Sequence, residues 1–266
     1  MLYQFFVKPF VIFFVNRELL QVMTARMWFS RGKGGVLHLL WPLLTPIFLL
    51  MIYYFAFGVI LNIRNIPGNS NYALEMFCGM AVFNIFSETV NCSAYSITSQ
   101  ANLVKKTVFD LEVIPLSCVG CAVISGIIYL CVVLCVVTRC NVIGMEVLKT
   151  PLLLLLYIFF CCGCAYFVSS LSVYLRDLPM VLPVITQAVF FLTPIIYPKS
   201  VIPESLCWTV EINPLTAFVC VIRKSLLSSS IVAWTDILSL SVWGMSFFLF
   251  GSFFFFKTKK GFSDVL

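Results

Sequence analysis

Residues 113–138 read VIPLSCVGCAVISGIIYLCVVLCVVT, an apolar run without one charged side chain. Hydrocarbon offers no partner for backbone N–H and C=O groups, so a single segment crosses it as a helix. About 20 apolar residues suffice, and this stretch reads as one span. The rest of the chain fits that reading. Of its 266 residues, 61% are hydrophobic and 11% charged, with a mean hydropathy of +1.05. A soluble domain of this length needs far more charge to cover its surface. The expectation is an all-α polytopic membrane protein.

Working outward, six spans are expected, at about residues 36–61, 72–97, 113–138, 151–174, 179–197 and 236–256. They form one domain over 1–266, with 1–35 a cytoplasmic interfacial segment, 36–256 the six-span bundle and 257–266 a cytoplasmic tail. Residues 62–71, NIRNIPGNSN, are a turn-rich loop. The opening MLYQFFVKPFVIFFVNRE is interrupted by Lys8 and Pro9 and shows no small-residue cleavage site. It is expected to be retained and, too short to span, to lie at the interface as an amphipathic helix. RGKGG, 31–35, is a basic hinge. Residues 198–235 hold Pro198, Pro203 and Pro214 and an apolar piece, 215–222, too short to cross. Two short helices dipping in and returning fit this segment. So does an ordinary outer loop with an interfacial helix, and the pattern leaves both open. Irregular backbone at membrane depth requires burial in protein or a cavity to line.

Basic residues favour cytoplasmic loops. Placing both termini on one side gathers Lys8, Arg17, Arg26, Arg31, Lys33, Lys105, Lys106, Arg176, Lys257, Lys259 and Lys260 there, most of the 17 Lys and Arg. Arg64, Arg139, Lys149, Lys199, Arg223 and Lys224 fall on the other. The termini, the 98–112 stretch and Arg176–Asp177 are thus expected in the cytoplasm. The net charge of +6 is scattered between apolar runs. That suits an anionic membrane surface and not a nucleic-acid patch, which is denser and lies on a soluble face.

Within the second span, Asn84, Glu88, Asn91 and Tyr95 recur at helical spacing and share one face. A carboxylate at this depth costs several kcal/mol, on the order of 3, if it faces lipid. The stripe therefore faces the bundle or water. It is either the wall of a polar translocation path or a set of interhelical hydrogen bonds. The first span carries Trp41, Thr45, Phe48, Ile52 and Phe55; the fifth carries Thr186, Phe190, Thr193 and Tyr197. Mixed aromatic and hydroxyl faces suit sugars, whose C–H faces pack on rings, and they also suit plain helix packing, the commoner use of such stripes.

No catalytic constellation is visible. His38 is the single histidine, no span carries paired acids at helical spacing, and RGKGG lacks the spacing of a phosphate loop. The CCGC run, Cys161, Cys162 and Cys164, has no nearby His and reads as small apolar packing. No disulfide framework follows from the 12 cysteines, and no metal site is expected. If movement here consumes ATP, another chain hydrolyses it.

Between two apolar runs lies TSQANLVKKTVFDLEVIP, residues 98–115, polar and charged. It is the expected point at which the membrane part is pushed from outside. Leu103, Val104 and Val108 are its apolar knobs, beside Lys105, Lys106 and Phe109. The lysines meet either acids on a partner or lipid phosphates.

Five pieces in order resemble the transmembrane subunit of ABC-2 type exporters, in the polysaccharide branch that exports O-antigen, capsule and teichoic acid chains. FSRGKGGVLHLLWPLLTP (29–46) resembles the entry to the first span, here more Gly-rich than usual. ANLVKKTVFDLEVIPLS (101–117) resembles the loop between spans two and three, with Asp110 where proline is usual. YLRDLPMVLPVITQAVFFLTPIIYP (174–198) resembles the connection into the fifth span. INPLTAFVCVIRKSLL (212–227) resembles the outer re-entrant segment, with Asn213, Pro214 and Arg223. FKTKKGFSDVL (256–266) resembles the tail. The resemblance implies a homodimer of six-span subunits in the bacterial cytoplasmic (inner) membrane, paired with two ABC ATPase subunits. Those subunits carry ATP and Mg, and this chain binds no cofactor of its own. It implies a lipid-linked glycan moving outward, and it supports re-entrant helices between spans five and six.

Three rivals stand beside it. A drug or lipid ABC-2 exporter commonly has a larger outer domain or a longer outer loop than this chain. A membrane-embedded glycosyl- or phosphotransferase would act without an ATPase. An ion-coupled transporter predicts matched halves, and no repeat relates 1–130 to 131–266.

Overall fold

The computed structural model describes residues 15–30, 41–56, 72–100, 110–139, 144–197, 202–227 and 230–265. Every regular element among them is helical. In chain order these are α1 (Arg17–Ser30), α2 (Trp41–Tyr53), α3 (Tyr72–Ser96), α4 (Val113–Arg139), α5 (Thr150–Tyr174), α6 (Leu178–Leu192), α7 (Cys207–Ile212), α8 (Pro214–Leu227), α9 (Trp234–Thr258) and α10 (Phe262–Val265). A short 3₁₀ turn follows α3, and others precede α5, α7 and α10. The hinge RGKGG and the loop 62–71 lie outside the described residues.

Three helical stretches are each long and apolar enough to cross a membrane: Val113–Thr138, Met145–Tyr174 and Trp234–Gly261. They match the expected third, fourth and sixth spans. Helix α3 has 25 residues, a sufficient length, but Glu75, Asn84, Glu88 and Asn91 dilute its apolar character. It does not need lipid on all sides, because α4, α5, α6 and α8 pack around it. Helix α6 is shorter than the expected fifth span. It stops at Leu192, and Thr193 is extended (φ −95°, ψ 131°). The cause is Pro194, which disfavours helical backbone in the residue before it.

Helix α5 is the centre of the core. Leu153, Tyr157, Phe160, Cys161, Ala165, Tyr166, Ser169 and Val173 are buried along its whole length. It packs most extensively on α9. Lipid tails are as apolar as leucine, so close packing and not hydrophobicity holds such helices together. Gly163, Gly244 and Gly251 make that approach possible. A Cβ on Gly244 would lie 2.7 Å from the Leu156 carbonyl oxygen, and one on Gly251 would run into the Gly163 carbonyl. Phe248, between Gly244 and Gly251, and Phe255, one turn beyond, fill the seam, with Phe255 5.0 Å from the Tyr166 ring. On the other side of α5, Tyr157 packs on Phe218 of α8 at 5.0 Å, and its hydroxyl donates to the Val82 carbonyl of α3 at 2.8 Å. Free thiols Cys161 and Cys162 are buried in this same packing.

Helix α1 leans on the first half of α4. Thr24 fills the space above Gly120, Cys121 Sγ donates to the Thr24 carbonyl at 3.3 Å, and Ser117 Oγ to Met27 Sδ at 2.9 Å. Met23 and Thr24 are its buried residues.

Candidate translocation path and coupling end

The four polar residues on one face of α3 do not act alike in the fold. Glu88 lies at the seam with α4, where Ser125 Oγ donates to its Oε1 at 3.0 Å. Three turns earlier on α3, Phe77 stacks on Tyr129 of α4 at 6.2 Å. Asn91 turns back on its own helix and donates Nδ2 to the Ser87 carbonyl at 2.7 Å. Asn84 is half-buried, and Tyr95 is 53% exposed. The interhelical bond expected as one alternative is thus present at Glu88, while the open part of the stripe lies toward Tyr95. Nothing in the sequence singled out Ser125, a lone hydroxyl in an apolar run.

Trp41, Phe48 and Ile52 of α2, and Phe55 just beyond it, are exposed by 60, 52, 58 and 58%. Spaced four, three, four and three with Thr45 among them, they form one outward stripe. Thr45 itself donates back to the Trp41 carbonyl at 2.9 Å, one turn before the in-helix Pro46, so its hydroxyl is used within the helix. Phe190 of α6 is not gathered with these rings. It meets Phe83 of α3 edge-on at 5.1 Å. With 3.6 residues per turn, Phe83 lies roughly opposite Glu88 on α3. Tyr197 closes a local loop, its hydroxyl donating to the Phe191 carbonyl at 2.7 Å.

Residues 204–227 form two short helices bent by 86°. Asn213 makes the corner. Followed by Pro214, it is held extended (φ −73°, ψ 111°). Its Oδ1 caps α8 by accepting from Leu215 N–H at 3.0 Å. Its Nδ2 donates to Thr193 Oγ1 at 3.0 Å, tying the corner to the end of α6. Arg223 reaches inward from α8. Its guanidinium occupies the room left by Gly79 of α3, and Nη2 donates to the Ile195 carbonyl at 3.4 Å.

Polar contacts gather at the two ends of the bundle. At one end, Asn16 donates to Asp110 at 2.8 Å, Lys259 pairs with Glu112 at 2.5 Å, Tyr174 donates to the Thr258 carbonyl at 2.8 Å, and Arg176 to the Val265 carbonyl at 3.3 Å. At the other, Glu146 accepts from Lys149 at 2.9 Å and from Val232 N–H at 3.1 Å, Lys224 pairs with Asp236 at 3.3 Å, and the Tyr72 hydroxyl donates to the Ile196 carbonyl. Among the described residues, Arg176 and Lys259, which the charge count assigned to one side, thus meet at one end, and Lys149 and Lys224, assigned to the other, meet at the other. Leu103, Val104, Lys105, Lys106, Val108 and Phe109 lie outside the described residues, between Gln100 and Asp110 of the first end. Among the described residues, no three His, Cys, Asp or Glu side chains converge as a metal would need.

Residues 18–227 match the family described as ABC-2 type transporter. The chain belongs to the ABC-2 type transporter family. It is therefore a transport membrane subunit, a multi-pass protein built of apolar helices. It is 29% identical over 254 residues to an O-antigen export system permease protein RfbA of Klebsiella pneumoniae, covering 94% of this chain and 95% of that one. A second Klebsiella pneumoniae protein of that name is 30% identical over 261 residues, with the same coverage. The Myxococcus xanthus protein of that name is 27% identical over 211 residues, covering 76% of this chain and 77% of its own. The ABC-2 match takes in α1 to α8; α9 and α10 lie beyond it.

Proposed function

We propose that this chain is the membrane subunit of an ATP-driven exporter that carries a lipid-linked, O-antigen-like polysaccharide outward across the bacterial inner membrane. The similarity to O-antigen export permeases over 94% of the chain carries this reading. Two copies of six spans each pair with two ATPase subunits that hold ATP and Mg. The end with Asn16, Asp110, Arg176 and Lys259 faces the cytoplasm, as the basic-residue bias favours, and the α7–α8 corner re-enters from the outer face.

In this mechanism the ATPases close on ATP, and the motion reaches the bundle through residues 98–110, with Leu103, Val104, Val108 and Phe109 as apolar contacts. Lys105 and Lys106 meet acids on the ATPase. Helix α3 is continuous from Tyr72 to Ser96, so a push at its end moves its whole polar face. Asn84, Glu88, Asn91 and Tyr95 of α3, with Trp41 and Phe48 of α2, border the glycan's route. Phe190 and Tyr197 brace the α6 region on the other side of α3.

The test is complementation. Cells lacking their O-antigen permease receive this chain with its ATPase, and surface glycan is measured. Surface glycan that requires both chains supports the proposal; modification of a lipid-linked sugar by the purified chain alone would replace it with a transferase. Changing Leu103 and Val104 together to Asp should abolish ATPase co-purification and export. Retention of both would remove the contact from 98–110.

A further inference from the structure

Glu112 is a charged side chain with 0% exposure at the very start of α4, and Lys259 closes on it from just beyond the end of α9 at 2.5 Å. The two are separated by 147 residues. Burying a carboxylate is costly unless it is paired and hydrogen-bonded, and helix packing alone does not call for a charge here. The partner is brought in by a built segment. After Thr258 the chain turns through Lys259–Gly261 into α10. Phe262 is fully buried between Tyr174 at 6.1 Å and Phe255 at 5.7 Å. Arg176 holds the Val265 carbonyl. The tail thus folds back over the ends of α4 and α5. On the other flank, Asp110 is held by Asn16, ahead of α1.

Glu112 therefore stands where the 98–110 segment becomes α4. Lys259 stands on the end of α9, which is seated against α5 through Gly163, Gly244 and Gly251. We propose that Glu112 and Lys259 are a positioning pair for transport: they carry movement of the 98–110 segment into the α5–α9 pair. This rests on the reading of 98–110 as the ATPase contact. Without the pair, a push on that segment reaches α5 and α9 only through the packing of α3 and α4 on α5, and less of each ATP's work opens the bundle as a unit.

The experiment uses the full chain with its ATPase in proteoliposomes. It measures ATPase co-purification, ATP hydrolysis, and glycan exported per ATP. Lys259→Gln, and the neutral pair Glu112→Gln with Lys259→Gln, should retain co-purification and hydrolyse ATP within two-fold of wild type. Export per ATP should fall at least ten-fold. Lys259→Arg, and the exchange Glu112→Lys with Lys259→Glu, should recover most of it. The neutral pair removes both charges together, so it keeps the test open if the single change fails to fold. Wild-type export per ATP in the neutral pair would overturn the proposal and leave the ATPase contact standing. ATPase association surviving in the Leu103→Asp, Val104→Asp variant would remove the contact itself, and this proposal with it.

Discussion

Gly163 of α5 and Gly251 of α9 meet backbone to backbone: a Cβ on Gly251 would fall on the Gly163 carbonyl, and one on Gly163 on the Phe247 carbonyl. At Gly126 the obstacle to a Cβ is different, the movable Ile85 side chain. Overpacking costs about 1–3 kcal/mol and more where backbone must shift. Gly163→Ala should lower the thermal midpoint of the detergent-solubilised protein clearly more than Gly126→Ala. Equal shifts would mean that the α5–α9 seam gives way easily.

Two buried tyrosines on α5 allow an internal comparison. Tyr157 donates to the Val82 carbonyl at 2.8 Å, whereas the Tyr166 hydroxyl has no hydrogen-bond partner among the described residues. Removing a paired hydroxyl costs about 1 kcal/mol, and removing an unpaired buried one costs nothing or stabilises. Tyr157→Phe is expected to destabilise by about that amount, and Tyr166→Phe to leave unfolding unchanged or raise its midpoint.

The aromatic residues separate by exposure. Trp41→Ala and Phe48→Ala remove rings that are 60 and 52% exposed, so folded yield should hold while export falls. Phe190→Ala removes a ring packed edge-on against Phe83 and should cost about 1–3 kcal/mol of stability as well. Full export in both α2 variants would take that stripe out of the path.

For Glu88, the Gln change keeps an oxygen to accept from Ser125 Oγ and removes the charge. Glu88→Gln should preserve stability and lower export. A double-mutant cycle of Glu88→Leu with Ser125→Ala should return a coupling of about 0.6 kcal/mol, the average for bonds between membrane helices. A coupling near zero would dissolve the α3–α4 bond as a structural element.

The corner at Asn213 makes two side-chain bonds, to Leu215 N–H and Thr193 Oγ1. Asn213→Ala should cost about 1–2 kcal/mol and loosen the α7–α8 bend. Faster protease cleavage within 198–213, relative to the rest of the chain, would report it.

The amino-acid sequence by itself determined the helical class, three of the spans, the family, and which of Arg176, Lys259, Lys149 and Lys224 share an end. These follow from local quantities: apolar run length, the 3.6-residue period, and the cost of a charge in lipid. The shorter α6 was also written locally, in Pro194. The glycines at 163, 244 and 251 were legible as letters, but not as a seam, because that depends on which helix lies opposite. The same holds for Glu88 with Ser125, and for Phe190, which belongs with Phe83. Only the tertiary structure decided that Glu112 is a buried charge and that Lys259, from the far end of the chain, neutralises it. Burial is a property of what surrounds a residue, and in a bundle of similar apolar helices no local pattern names the neighbour.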